Sequence, residues 1–236
     1  MPAPTVSLTQ DAEWCVVHLD GEWRQIRFHD YATLFSIPGL YEEVIYRALH
    51  CESPAVVVGL LADHLESVDE DIKDMRVLDL GAGNGIVGQR LRRFGAERIV
   101  GVDIIDEARE AAERDRPAAY DHYVVADLTD LTDAKRAELR EQRLNCLVCV
   151  AALGFGDIPP EAFTGALDLI ADDGWIAFNI KEDFLESDDD TGFAGLLRKM
   201  ERDGELKIER RRRYRHRLGT DLQPLHYVAM IARKMG

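Results

Sequence analysis

Residues 75–91, MRVLDLGAGNGIVGQRL, decide the fold. The first part is a short apolar run of strand character; it enters a turn with glycine at 81, 83 and 85, and an amphipathic segment follows. Glycine has no Cβ, so the backbone there can turn tightly and come close to a ligand at the N-terminus of the following helix. Outward from this point the alternation repeats. Strands are expected at 76–80, 98–103, 123–126, 144–152 and 175–180, with helical stretches near 85–94, 106–115, 132–143, 160–171 and 191–203. Short apolar strands alternating with helices predict a parallel sheet covered on both faces. The C-terminal end breaks the pattern, because ELKIERRRRYRHRL and LHYVAMIARK are strand-like runs with no helix between them. They read as a closing antiparallel pair. The expected fold class is therefore α/β, doubly wound around a mostly parallel seven-stranded sheet with an antiparallel C-terminal strand.

Upstream, residues 13–28, EWCVVHLDGEWRQIRF, are two β-rich runs joined by Asp20-Gly21, a dipeptide suited to the positive φ angles of a tight hairpin turn. Pro38-Gly39 then breaks the chain, residues 40–50 carry a helical apolar pattern, and Ser53 stands as an N-cap before Pro54 at the first helical position. Two helices are thus expected before the first strand of the sheet.

With 236 residues, 46% hydrophobic and 31% charged, the chain can bury one sizeable core, and one main domain is expected. A formal charge of −15 repels phosphate polymers and anionic membrane surfaces, so neither nucleic acid nor membrane is an expected partner. No apolar run reaches the roughly 18 residues of a membrane span, and the opening MPAPTVSLTQDAEW lacks the features of a signal peptide, which leads us to expect a cytoplasmic protein. Four cysteines are too few and too scattered for a disulfide framework. Cys146 and Cys149 form a CxxC, but on a strand residues three apart point to opposite faces and cannot share one ion. No metal site is expected.

The glycine turn admits two readings. Residues 83–88, GNGIVG, match the dinucleotide fingerprint, with Asp103 about 20 residues on at the end of the next strand, where an acid binds ribose hydroxyls. Asp79 separates the readings, because a carboxylate two residues before the first glycine opposes a pyrophosphate but attracts an ammonium and a sulfonium. The run DLGAGNG, with GVD after the next strand and Ala126-Asp127-Leu128 after the third, resembles the class I S-adenosylmethionine-dependent methyltransferases over roughly residues 76–180.

That resemblance implies S-adenosylmethionine as cofactor and S-adenosylhomocysteine as product. It places Asp79 behind the loop, acting on the methionine moiety, and the turn of Gly81, Ala82, Gly83, Asn84 and Gly85 beneath the cofactor. Asp103 would bind the ribose hydroxyls with Ile104 against the adenine face; Asp127 would accept from the adenine amino group, Leu128 would cover the ring, and Ala151 would line the site beside the sulfonium. Read as structure alone, Asp103 and Asp127 are strand-end caps and Asp79 is an isolated loop acid. In this fold the last strand is antiparallel and inserted beside the fifth, and the sixth lies at the edge. The resemblance also implies that residues 1–52 are a hairpin and an N-terminal lid, and that 53–236 are the Rossmann-like domain.

Methyl transfer needs a nucleophile in line, about 3 Å from the methyl group, and an acid–base side chain only when the nucleophile must lose a proton. The segment after the fourth strand, CVAALGFGDIPPEAF at 149–163, shows no obvious catalytic side chain. Methyltransferases acting on base or glutamine amines commonly carry Asn/Asp-Pro-Pro-Tyr/Phe there, and this chain has Ala151-Ala152-Leu153-Gly154-Phe155. Phe155 reads as an aromatic wall or as core packing, and Pro159-Pro160 as a helix start. The search for a base moves to residues 29–43, HDYATLFSIPGLYEE. His29 is the candidate acceptor-side base, against a capping or surface role, and Tyr31 the candidate cofactor contact, against packing. Arg210 to Arg213, Arg215, His216 and Arg217 read as a charged edge strand, as a nucleic-acid footprint, or, with His226, as an anchor for an acceptor carboxylate. Lys181, Glu182 and Asp183 are placed to face the acceptor. The expected function is methylation of a small molecule; the alternatives are a protein methyltransferase, a nicotinamide-dependent dehydrogenase and a non-catalytic cofactor-binding scaffold. The acceptor atom and any homo-oligomer stay open.

Overall fold

The computed structural model describes residues 12–153, 157–186 and 192–236. The hairpin pairs β1 (Trp14–Leu19) with β2 (Glu22–Arg27), and Asp20 and Gly21 take the φ values of 52° and 84° that its tight turn requires. A short helix that the sequence pattern did not signal, α1 (Tyr31–Ser36), follows, with Asp30 accepting from the Thr33 N–H. Next come a π-helical stretch (Glu42–Ala48) and α2 (Ser53–Ser67). The π geometry departs from the regular helix expected at 40–50, and the Leu49 N–H donates to Val44 five residues back. Tyr46 lines the cleft described below, while Ile45 and Leu49 pack with Phe28 of the hairpin's end.

Ser53 does not cap α2. Glu52 holds that position without a side-chain bond, and the buried Ser53 hydroxyl lies 2.6 Å from both the Tyr214 hydroxyl and His216 Nδ1. A fully buried hydroxyl must find a partner where it sits, and Ser53 finds them across the fold.

The alternation from residue 76 onward appears as β3 (Arg76–Leu80), α3 (Ile86–Phe94), β4 (Arg98–Asp103), α4 (Asp106–Asp115), β5 (His122–Val125), α5 (Asp133–Glu141), β6 (Cys146–Cys149), α6 (Pro160–Leu167), β7 (Trp175–Lys181), α7 (Glu182–Glu186) and α8 (Gly192–Asp203). It closes with β8 (Leu206–Leu218) and β9 (Pro224–Lys234). The seven strands lie in the order β5-β4-β3-β6-β7-β9-β8. Strands β3 to β7 pair in parallel, and β9 is antiparallel to both β7 and β8. The last strand thus sits beside the fifth, with the sixth at the edge, as the resemblance implies. β6 is shorter than the run expected at 144–152, because Ala151 takes a φ of 57° and turns the chain off the sheet.

Residue parity divides the core. Val77, Ile99, Cys146 and Val148 face α2 and α3, with Val57, Leu61 and Leu91, while Leu78, Val100, Leu147 and Cys149 face the side of α6 and α8, with Phe163 and Phe193. The two cysteines therefore lie in different cores, as strand geometry requires. Burial pushes both thiols up, so they are inert small side chains. On the edge strand, Arg211 pairs with Glu201, Arg213 with Glu182 and Arg215 with Glu52. A row of paired charges on an edge is a guard against strand addition. Among the described residues, no single helix is long and apolar enough to cross a membrane.

Candidate active site

From β3 the chain runs to β4 and β5 on one side and returns to the other side as β6. Loops leaving β3 and β6 diverge there, and such a switch point opens a crevice at the carboxyl ends of the strands. A cleft of about 440 Å³ occupies it, lined by the turn after β3, the ends of β4 and β5, the segment after β6 and side chains from residues 29–46. Gly81, Ala82, Gly83, Asn84, Asp103, Ile104, Asp127, Leu128, Ala151, His29 and Tyr31 all line it.

Two expected residues do not line the cleft. Gly85 sits at the start of α3 with φ of 87°, and a Cβ there would meet Ala119 and Tyr120 at 3.3 Å, so its role is the turn itself. Asp79 lies behind the turn, 1% exposed. Its Oδ2 accepts from the Tyr120 hydroxyl at 2.7 Å, and its Oδ1 is buried without a partner. Burial pushes this carboxyl up to about 7; the Tyr120 hydroxyl opposes the rise and the Asp103 charge adds to it. Gly88, last of the GNGIVG run, is explained by the same tyrosine, because a Cβ there would lie 2.5 Å from its ring.

Asp103 joins the end of β4 to the turn. Its Oδ2 accepts from the Gly83 N–H at 2.9 Å and its Oδ1 from the Ile104 N–H at 2.8 Å. Burial raises this carboxyl and those amides oppose the rise. Asp127 is exposed, and its Oδ1 accepts from the Thr129 hydroxyl and N–H, bonds that hold the carboxyl below its ordinary range. Ile104, 61% exposed, and the buried Leu128 give the same part of the cleft apolar cover.

The N-terminal segment is fastened to this turn. Buried Asn84 donates from Nδ2 to Glu42 Oε1 at 2.7 Å, and Arg116 Nη1 pairs with the same oxygen at 2.7 Å. Phe35 packs on Gly83, its ring 3.1 Å from where a Cβ would stand. Beside the cleft is a recess of about 40 Å³ that includes Phe28, Tyr41, Cys51, Arg217 and Tyr227. His29, Tyr31 and Asp157 line both spaces. His29 Nδ1 lies 3.2 Å from Asp157 Oδ1, and the Tyr31 hydroxyl lies 3.5 Å from Asp157 Oδ2.

Three expectations about acceptor-side charges are corrected. Arg217 borders the recess but is buried in an ion pair with Glu13, so its charge is already matched. His216 is held uncharged, lowered to about 3 by burial and by Arg217, and neither it nor Arg217 offers a free anion anchor. Lys181, Glu182 and Asp183 line neither space; Lys181 pairs with Asp183 and Glu182 with Arg213. Gly154 and Phe155, the expected aromatic wall, lie outside the described residues.

Sequence reasoning missed Asp157, one of two acids, with Glu161, in a stretch read as having no obvious catalytic side chain. It also missed a buried network in which Asn179 Oδ1 accepts from the Ala151 N–H at 2.7 Å, while Asn179 Nδ2 donates to the Tyr214 hydroxyl at 2.8 Å. An apolar strand carrying one buried asparagine was the available signal, since such a group needs partners. The arrangement suits a ligand with positive charge near the turn. Behind the three glycines the Asp79 carboxyl does not reach the cleft, but when ionised its field favours positive charge near the turn and opposes a pyrophosphate.

The chain matches the family model described as a methyltransferase domain over residues 58–218. It is 23% identical over 134 residues to a ubiquinone biosynthesis O-methyltransferase from Neisseria meningitidis, a match covering 57% of this chain and 53% of that protein, so the chain spans about half the length of this relative. Among solved structures, magnesium protoporphyrin IX methyltransferase from Synechocystis, with S-adenosylmethionine bound, superposes with a TM-score of 0.55 at 14% identity, covering 87% of this chain and 90% of the other. A ribosomal protein methylase from Lactobacillus delbrueckii superposes with a TM-score of 0.52 at 17% identity, covering 77% and 79%. At these identities the structural likeness is one of fold.

Proposed function

The chain belongs to the methyltransferase-domain family, and on that premise we propose that it transfers the methyl group of S-adenosylmethionine to a small-molecule acceptor. The bound cofactor supplies a methyl group already activated on a sulfonium. The chain's own residues bind and orient it: Asp79 acts on the ammonium through the loop, Asp103 takes the ribose hydroxyls, and Ile104, Asp127 and Leu128 receive the adenine.

One observation carries the small acceptor. The N-terminal segment reaches from the glycine turn, through Glu42 and Asn84, to the loop after β6, through His29 and Asp157, so that this chain's own residues cover that side of the cleft. We assign residues 29–46 as the lid. The Neisseria relative is likewise named for O-methylation in the making of a small molecule, while the Lactobacillus fold is named for a protein substrate. The covered cleft and the charge of −15 support the former over a polymeric acceptor.

The test is to incubate the protein with methyl-labelled S-adenosylmethionine and a fractionated cell extract. Label in a product of low molecular mass is expected. Label in protein or RNA would transfer the assignment to that class, and no label in any fraction would favour a non-catalytic binder.

A further inference from the structure

The chain leaves β6 abruptly. The ladder between β6 and β7 ends at Cys149 and Phe178, and two residues later Ala151 takes a φ of 57°, a conformation that a residue with a Cβ keeps only where its surroundings enforce it. Asn179 holds it there. This residue is wholly buried in a strand that is otherwise apolar from Trp175 to Ile180, and its Oδ1 accepts from the Ala151 N–H at 2.7 Å. A backbone amide can only donate, so the assignment of the side-chain oxygen is fixed, and Nδ2 is left to donate to the Tyr214 hydroxyl at 2.8 Å and to Ser53 Oγ at 3.3 Å. The Tyr214 hydroxyl in turn lies 2.6 Å from Ser53 Oγ, which lies 2.6 Å from His216 Nδ1. Turning the Asn179 amide over would set donor against donor at Ala151, so the network behind Asn179 keeps its oxygen on that turn.

The turn that Asn179 holds is a wall of the site. Ala151 lines both the cleft and the recess, whereas Asn179 lines neither. The next residue meets the glycine turn, for a Cβ at Gly81 would stand 3.0 Å from the Ala152 Cβ and 3.1 Å from Ile158 Cδ1. Leu153 then bridges to Ile158. The two lips of the crevice, the turn after β3 and the segment after β6, therefore touch at Gly81, and the second lip is hinged at Ala151. That contact has no slack, so a displacement at Ala151 passes to Ala152 and on to the glycine turn. Placement matters here because an in-line transfer loses about 100-fold in rate for a misplacement of about 1 Å.

Building on the methyltransferase reading above, we infer that Asn179 is a positioning residue for methyl transfer: its Oδ1 holds the Ala151 turn and, through Ala151 and Ala152, fixes the wall of the cleft beside the cofactor's sulfonium. It neither gives nor takes a proton in the reaction. A leucine of similar size would fill the space in β7 but leave the Ala151 N–H without its acceptor, and the strained turn would lose the bond that holds it. An aspartate keeps an oxygen in the same place.

The first measurement needs neither an acceptor nor a variant. In amide NMR of the parent protein the Ala151 N–H should exchange slowly with solvent although it lies beyond the end of β6, and its resonance should move when S-adenosylhomocysteine is added. Exchange at the rate of an open loop, or cofactor-product binding that leaves the Ala151 amide unmoved, would overturn the inference. Asn179→Leu should weaken S-adenosylhomocysteine binding about fivefold by calorimetry and, at saturating S-adenosylmethionine, cut label transfer in the extract assay by at least about tenfold. Asn179→Asp should return both to within about threefold of the parent, because an acceptor for the Ala151 N–H is restored. Phe178→Leu, next along β7 but facing the other core, should alter each by no more than about twofold, which separates the Ala151 bond from a general loosening of the strand. A leucine variant at 179 that matches the parent, an aspartate variant as impaired as the leucine, or an equal loss in Phe178→Leu would contradict the inference alone. Failure of the parent protein to bind S-adenosylhomocysteine would strike the underlying reading instead.

Discussion

Replacing Asp79 by asparagine is expected to stabilise the protein at pH 8 by about 1–2 kcal/mol and to weaken S-adenosylhomocysteine binding at least tenfold. The native carboxyl is pushed up to about 7, above its ordinary value. A carboxyl raised in the folded state holds its proton longer there than in the unfolded chain, so native stability falls as pH rises from about 4 to 7 and levels off above. A shift of this size represents several kcal/mol, at about 1.4 kcal/mol per unit. The asparagine does not titrate, but its amide leaves a buried donor unpaired at a cost of about 1–3 kcal/mol, which lowers the net gain. The gain should therefore be present at pH 8 and absent or reversed at pH 5, as read by denaturant unfolding. Binding should move the opposite way, because the ionised carboxylate attracts the ligand's ammonium. A variant equally altered at both pH values, or one with undiminished affinity, would remove Asp79 from this role.

Phe178→Ala should cost about 3–5 kcal/mol of stability, the range for losing a fully buried aromatic side chain. Phe178 is wholly buried in β7 and meets Phe163 of α6 edge-on at 5.8 Å and Phe193 of α8 at 6.0 Å. Phe163 and Phe193 pack against each other at 4.8 Å, so truncation leaves a cavity between three elements that cannot all move inward. Phe178→Leu keeps most of the volume and should cost under about 1.5 kcal/mol. Phe178 does not line the cleft, so the alanine variant, while folded, should bind S-adenosylhomocysteine like the parent. A loss below 1 kcal/mol for the alanine would mean that this core collapses readily and does not hold α6 and α8 in place.

What the sequence made legible was local. The strand at 76–80 and its glycine turn were readable because apolar run, positive-φ residues and helix pattern lie within 17 residues of one another, and Asp20-Gly21 marked its hairpin for the same reason. Where distant partners decide, the reading failed. Ser53 has the form of a cap, yet its hydroxyl answers to Tyr214 and His216, more than 160 residues away. The overlong strand at 144–152 is cut short where Ala151 turns and donates to Asn179. Asp157 was passed over because its meaning lies in His29 and Tyr31, at the other end of the chain, and nothing beside it in GDIPP marks it. The cleft side of Asp103, Asp127 and Leu128 could be placed by their order along the strands; the acceptor side is assembled from segments with no local mark.

The central claim is that the glycine turn binds a cationic, sulfonium-type cofactor and not a dinucleotide. Isothermal titration of the protein with S-adenosylhomocysteine and, separately, with NADH tests it most directly. Binding of S-adenosylhomocysteine with a Kd in the micromolar range or tighter and no heat from NADH is the expected result. Binding of NADH with none of S-adenosylhomocysteine would contradict the claim.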